Sequence, residues 1–178
     1  MKNLIDWIRK CNKWIAKSEC KGVLVFFVIV TFILNSCTTD TVYYGVKKLP
    51  NAEWHSGNIL EFKISVKNTL ESNIYMILKN TKKYPYQNLF ISYTILDEHG
   101  EVVAKALESF DLYDLKTGKS LGDGFLSNQK THEFVILPKY SFVKPGVYTI
   151  RLEQFMRSDV LHGIKTVGLL VEKSNVLK

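Results

Sequence analysis

Beyond position 37 the sequence contains no cysteine; the three in the chain are Cys11, Cys20 and Cys37. The downstream segment therefore has no internal disulfide and no cysteine-ligated metal, and its fold must rest on a hydrophobic core. A large excess of one charge is missing there too. The chain carries a formal +7 over 178 residues, but residues 1–36 hold Lys2, Arg9, Lys10, Lys13, Lys17 and Lys21 against Asp6 and Glu19, a net of +4. The remaining 18 basic and 15 acidic residues leave +3, too little for the footprint of a DNA- or RNA-binding surface. A third absence is an apolar run long enough to span a bilayer. Val23–Leu34 gives twelve uncharged residues and Gly22–Ser36 only 15, short of the roughly 17 to 25 that a membrane helix needs, which disfavours the alternative of an uncleaved membrane helix with Cys37 incidental at its end.

Catalytic and metal-binding patterns are missing as well. Gly118-Lys119-Ser120 looks like the end of a phosphate-binding loop, but that loop needs a glycine five residues before its last one, and position 113 is Tyr. Asp111, Asp114 and Asp123 flank it and would repel a phosphate. His55, His99, His132 and His162 are scattered without metal-ligand spacing, and each reads as a surface or turn residue. There is no Gly-x-Ser-x-Gly elbow, and no sequence feature selects a carboxylate pair. No catalytic residue, metal or small-molecule substrate is assigned.

What is present at the N-terminus is a basic segment, unusually long, then an apolar stretch of signal-peptide length, then Leu34-Asn35-Ser36-Cys37. That tetrapeptide resembles the lipobox of bacterial lipoproteins. The resemblance implies cleavage between Ser36 and Cys37 and covalent diacylglycerol and fatty acyl on the Cys37 thiol and new amine. Each buried CH₂ contributes roughly 0.8 kcal/mol, so two or more chains anchor the protein stably. The expected organisation is a signal peptide over 1–36, a lipidated Cys and tether over 37–45, and a folded domain over 46–178.

In that domain, period-2 alternation dominates. Leu60-Glu61-Phe62-Lys63-Ile64-Ser65-Val66-Lys67 puts every apolar residue on one face, as a half-buried strand does. Similar runs occur at 74–79, 89–96, 101–107, 131–137, 147–153 and 167–172, with a hairpin expected at Asp97-Glu98-His99-Gly100. Residues 154–162 break the alternation and read as a loop or one helical turn. The pattern predicts an all-β protein, an antiparallel β-sandwich of immunoglobulin-like or jelly-roll-like type. All nine tyrosines lie beyond Cys37. Trp54 and His55, with Tyr84-Pro85-Tyr86, form the candidate interaction surface, since aromatic rings supply contact area at little entropic cost.

A set of blocks keeps its order over nearly the whole domain. They are Leu49-Pro50-Asn51 with Trp54-His55, Asn80-Thr81 with Tyr84-Pro85-Tyr86 and Asn88-Leu89, and Gly118-Lys119 with Leu121-Gly122-Asp123-Gly124. Pro145-Gly146-Val147-Tyr148, Glu153-Gln154 with Met156-Arg157, Gly163-Ile164, Val167-Gly168-Leu169 and Glu172-Lys173 follow. In these the chain resembles the GldH gliding-motility lipoproteins. That resemblance implies a non-enzymatic envelope protein, anchored in the outer membrane, whose partners are the membrane and other envelope proteins of the motility and secretion machinery. Surface-displayed lipoproteins of such bacteria carry an acidic run after the Cys; only Asp40 is acidic here, which favours the periplasmic face. The alternative reading is a carbohydrate-binding sandwich with Trp54, Tyr84 and Tyr86 as a stacking platform. A hydrolase with a carboxylate pair is the third.

Overall fold

The computed structural model describes residues 41–69, 71–124 and 128–174; the lipobox and the expected signal peptide lie outside the described residues. The alternating segments become β1 (Thr41–Lys48), β2 (Glu53–His55), β3 (Leu60–Val66), β4 (Ser72–Thr81), β5 (Asn88–Leu96), β6 (Val102–Asp111), β7 (Gln129–Tyr140), β8 (Gly146–Gln154), β9 (Val160–His162) and β10 (Ile164–Lys173). Every pairing is antiparallel. One four-stranded sheet runs β1-β10-β4-β7, the other runs β3-β8-β5-β6, and β2 pairs with β9 in a small ribbon.

The seven runs expected from alternation are β3 to β8 and β10, because each has one face against the core. In β3, Leu60, Phe62, Ile64 and Val66 are buried while Glu61, Lys63 and Ser65 face water. In β5, Leu89, Ile91, Tyr93 and Ile95 point inward, and β4 meets them from the other sheet with Ile74, Met76 and Leu78. These residues form a single core with Tyr148, Ile150 and Leu152 of β8 and Val167, Leu169 and Val171 of β10. The fold is therefore a β-sandwich. From β3 onward, the main strands change sheet at each step except at the β5–β6 hairpin, the order of an eight-stranded jelly roll. Of the two sandwich types expected, the connectivity selects this one.

The β5–β6 hairpin turns as expected at 97–100. The Asp97 carboxylate accepts from the His99 and Glu101 amides at 2.9 and 3.0 Å, and Gly100 takes φ +84°, a conformation most side chains disfavour. Beside it Lys144 Nζ donates to Glu98 at 2.8 Å. That hydrogen bond holds the Glu98 carboxyl below its ordinary range and lifts the Lys144 ammonium above its own.

Three expectations need correction. Thr41–Gly45 are not tether but the first five residues of β1, hydrogen-bonded along β10 from Glu172 to Leu169; as an edge strand with mostly exposed residues, β1 has no apolar alternation to betray it. The segment 154–162 is a loop, one of the two forms expected, only over 155–159, since Gln154 ends β8 and Val160–His162 form β9. His132 is not a surface histidine: it is 4% exposed, on the core side of β7.

His132 Nε2–H donates to Asn80 Oδ1 at 3.1 Å, Asn80 Nδ2 donates to the Tyr113 hydroxyl at 3.1 Å, and the imidazole stacks on Phe134. Burial lowers its pKa from the ordinary value; Asp123 raises it and Lys130 lowers it. A group with a depressed folded-state pKa contributes stability above its unfolded pKa of about 6.5, and that contribution is lost as pH falls through the folded value. The urea midpoint should therefore drop as pH is lowered from 7 to 5. His132→Gln, which keeps a donor toward Asn80, should flatten that slope; an unchanged slope would show that His132 is not its source.

Candidate functional site

The jelly-roll connectivity sorts the loops onto two ends of the sandwich. The start of β1 pairs with the end of β10, and the β3–β4, β5–β6 and β7–β8 connections cluster there through the registers Lys173↔Ser72, Ser72↔Tyr140, Val66↔Gly146 and Leu96↔Val102. The opposite end gathers the turn after β1, the β2–β9 ribbon, the β4–β5 loop (82–87), the long β6–β7 connection and the β8–β9 loop (155–159). All five residues of the candidate interaction surface lie at this second end.

The structure separates those five residues. Trp54 is fully buried, with Nε1–H donating to the Asn58 carbonyl at 2.9 Å; it is the core of the β2–β9 ribbon, opposite Leu161. Tyr84 is 4% exposed, and its hydroxyl donates to the Asn88 carbonyl at 2.7 Å. Burial, then the neighbouring Tyr86 and Tyr113, raise its pKa. His55, Pro85 and Tyr86 are exposed. The Tyr84 and Tyr86 rings meet edge to face, 5.8 Å apart at 72°. A stacking platform of Trp54, Tyr84 and Tyr86 is thus excluded, since two of the three rings are inside and the pair that touches is not coplanar.

Around Tyr86 the fold assembles residues that sequence reasoning did not select. Tyr86, Phe90, Phe155, Met156 and Arg157 line a groove of about 450 Å³. Phe155 is 60% exposed, and Tyr86 and Phe90 are each 37% exposed. The groove is held from beneath. Buried Gln154 accepts from the Met156 amide at 2.9 Å and donates to the Ser158 carbonyl at 3.1 Å, spanning the β8–β9 loop. The Phe155 amide donates to the Phe90 carbonyl at 2.8 Å, and the Phe90 amide points at Met156 Sδ at 3.3 Å. One sequence signal was available: Phe90 breaks phase in β5, an aromatic on the face opposite Leu89 and Ile91.

On the other side of the β4–β5 loop lies a second groove of about 420 Å³, with Lys82, Lys83 and Lys165 beside Asn51, Thr81 and Gln129. Asn51 and Ala52, in its wall, both adopt left-handed backbone at φ +55° and +57°, costly for a residue such as Ala. Nearby, Glu53 faces both exposed histidines of the ribbon, His162 Nδ1 at 3.1 Å and His55 Nε2 at 3.9 Å. Among the described residues no group of three or more His, Cys, Asp or Glu side chains is arranged to hold a metal. The Gly118 loop folds around Asp114, whose carboxylate accepts from the Thr117 hydroxyl and amide, each at 2.8 Å, and from the Lys116 amide. Those hydrogen bonds, the Thr117 hydroxyl first, lower its pKa. With an ionised carboxylate at its centre, the loop is no phosphate cradle.

Residues 41–171 match the family described as GldH lipoprotein. The chain is 31% identical over 162 residues to the "Gliding motility lipoprotein GldH homolog" of Christiangramia forsetii, covering 85% of this chain and 96% of that one. It is 25% identical over 164 residues to the "Gliding motility lipoprotein GldH" of Flavobacterium johnsoniae, covering 86% and 96%. Among solved structures, a family GH115 4-O-methyl-α-glucuronidase shares a TM-score of 0.41 and 12% identity, covering 76% of this chain and 17% of that one. The CBM35 from Cellvibrio japonicus Abf62 shares a TM-score of 0.33 and 12% identity, covering 75% and 99%. Likeness at that level carries no argument about what this chain binds.

Proposed function

The chain belongs to the GldH lipoprotein family, and from that premise we propose that it is a lipid-anchored, non-enzymatic structural component of the gliding-motility apparatus and of the protein-secretion system coupled to it. Acyl chains on Cys37 hold it to the periplasmic face of the outer membrane. The observation that carries this reading is the polarity of the domain. Cys37 is four residues from Thr41, at most about 14 Å of extended chain, and Thr41 begins β1 at one end of the sandwich. The exposed aromatic and cationic grooves are at the other end. A short leash at one pole leaves the opposite pole free to meet another protein. Contact, rather than turnover, fits the two shallow grooves and the buried fate of the sugar platform.

The test is complementation of a deletion strain of a gliding host with the wild-type chain or with Cys37→Ala. Wild type should incorporate radiolabelled palmitate and restore both spreading and secretion. Cys37→Ala should incorporate no label and restore neither. A deletion strain that spreads and secretes normally, or label that enters Cys37→Ala, would sink the reading.

A further inference from the structure

The β4–β5 loop is a ridge between the two grooves. Lys82 and Lys83 face one of them with Lys165, and Tyr86 faces the other with Phe90, Phe155, Met156 and Arg157. Four cations line the pair, and no Asp or Glu is among the described residues that do so. Charge elsewhere in the folded part is almost balanced, since everything after position 36 sums to only +3. Aromatic, Met and Arg side chains are also the types enriched at the buried centres of protein interfaces.

We propose that this ridge and its two grooves are the docking surface for an acidic segment of another envelope protein, whose carboxylates lie along Lys82, Lys83 and Lys165 while an apolar side chain enters the groove between Tyr86 and Phe155. This names the partner chemistry for the surface described above and rests on the chain's placement in the envelope. Three physical arguments favour that occupant. A second copy of the chain would bring the same cations against these in a two-fold contact, and like charges facing one another repel. With Cys37 acylated as proposed, the bilayer would lie toward the other pole, beside the start of β1. The surface is also built in advance, because Tyr84, Gln154 and the backbone bond between Phe155 and Phe90 fix its walls, so little ordering cost opposes binding.

The experiment is site-specific photo-crosslinking in intact cells, with p-benzoylphenylalanine in place of Phe155 in the full-length chain. The adduct should map to one protein segment in which Asp and Glu outnumber Lys and Arg. Its yield should fall about tenfold or more when Lys82, Lys83 and Lys165 are all changed to Glu, and should fall with added salt in isolated membranes, as screened rim charges require. All three lysines are exposed, so the triple variant should keep its wild-type urea midpoint. The same probe at Val143, exposed at the other pole, should not capture that segment. An adduct with a second copy, a glycan, a lipid or a net-basic segment would overturn the proposal, as would no adduct or a yield indifferent to charge reversal. A deletion strain that glides normally while the acidic adduct forms would remove the motility role and leave the docking surface. A non-gliding deletion strain with no adduct would do the reverse.

Discussion

Trp54→Ala should destabilise the domain by about 3–5 kcal/mol, as emptying a fully packed aromatic site does, against a total stability of roughly 5–15 kcal/mol for a domain. The indole is wholly buried opposite Leu161 in the β2–β9 ribbon, and its N–H is satisfied by the Asn58 carbonyl. Trp54→Phe should cost much less, since the ring volume is mostly kept and the carbonyl freed sits in an exposed turn. The measurement is urea denaturation of both variants. A folded Trp54→Ala with an unchanged midpoint would show that the indole is not the core of the ribbon.

Gly163→Ala is the second large effect and acts on the candidate site itself. Gly163 takes φ +86°, and a Cβ there would stand 2.4 Å from the Tyr84 amide nitrogen and 2.8 Å from the Lys83 carbonyl carbon. Both are main-chain atoms, which cannot swing aside as a side-chain tip can. Gly163 is also pinned on both sides, its N–H donating to the Ala52 carbonyl and its carbonyl accepting from the Thr81 amide, each at 2.8 Å. Left-handed backbone costs a non-glycine residue about 1–2 kcal/mol, and forcing the contact adds about 1–3 kcal/mol. A loss of about 3 kcal/mol in urea unfolding should result. Because the β4–β5 loop must retreat, the Phe155 crosslink should weaken with it even under conditions where the variant is folded. A variant with full stability and full crosslink yield would mean that the close approach of Gly163 to Tyr84 is not what positions the ridge.

The same contrast explains how much of the site could be read in advance. The blocks quoted as carrying the family resemblance include Tyr84-Pro85-Tyr86, Met156-Arg157 and Gly163, and they do meet at one end of the sandwich. Their roles there were not legible. Tyr84 and Tyr86 are two residues apart in one short loop, yet one is a plug hydrogen-bonded to Asn88 and the other a groove wall. His132 is in phase with Phe134 and Ile136 along β7, but what satisfies its ring inside is not local, since Asn80 must arrive from β4 to accept its hydrogen bond. Lys165 joins Lys82 and Lys83 only because β10 returns beside β4.

By itself the sequence determined the class of fold and the limits on chemistry. Alternation in β3, β4, β5 and β8 is a local property of a strand with one wet face, and the lack of cysteine after position 37 is a matter of composition. Only the tertiary structure decided which sandwich the strands build, which aromatics are core and which are surface, and that two grooves share one cationic ridge. Those outcomes depend on segments far apart in the chain being brought together, and burial belongs to the assembled neighbours rather than to the residue.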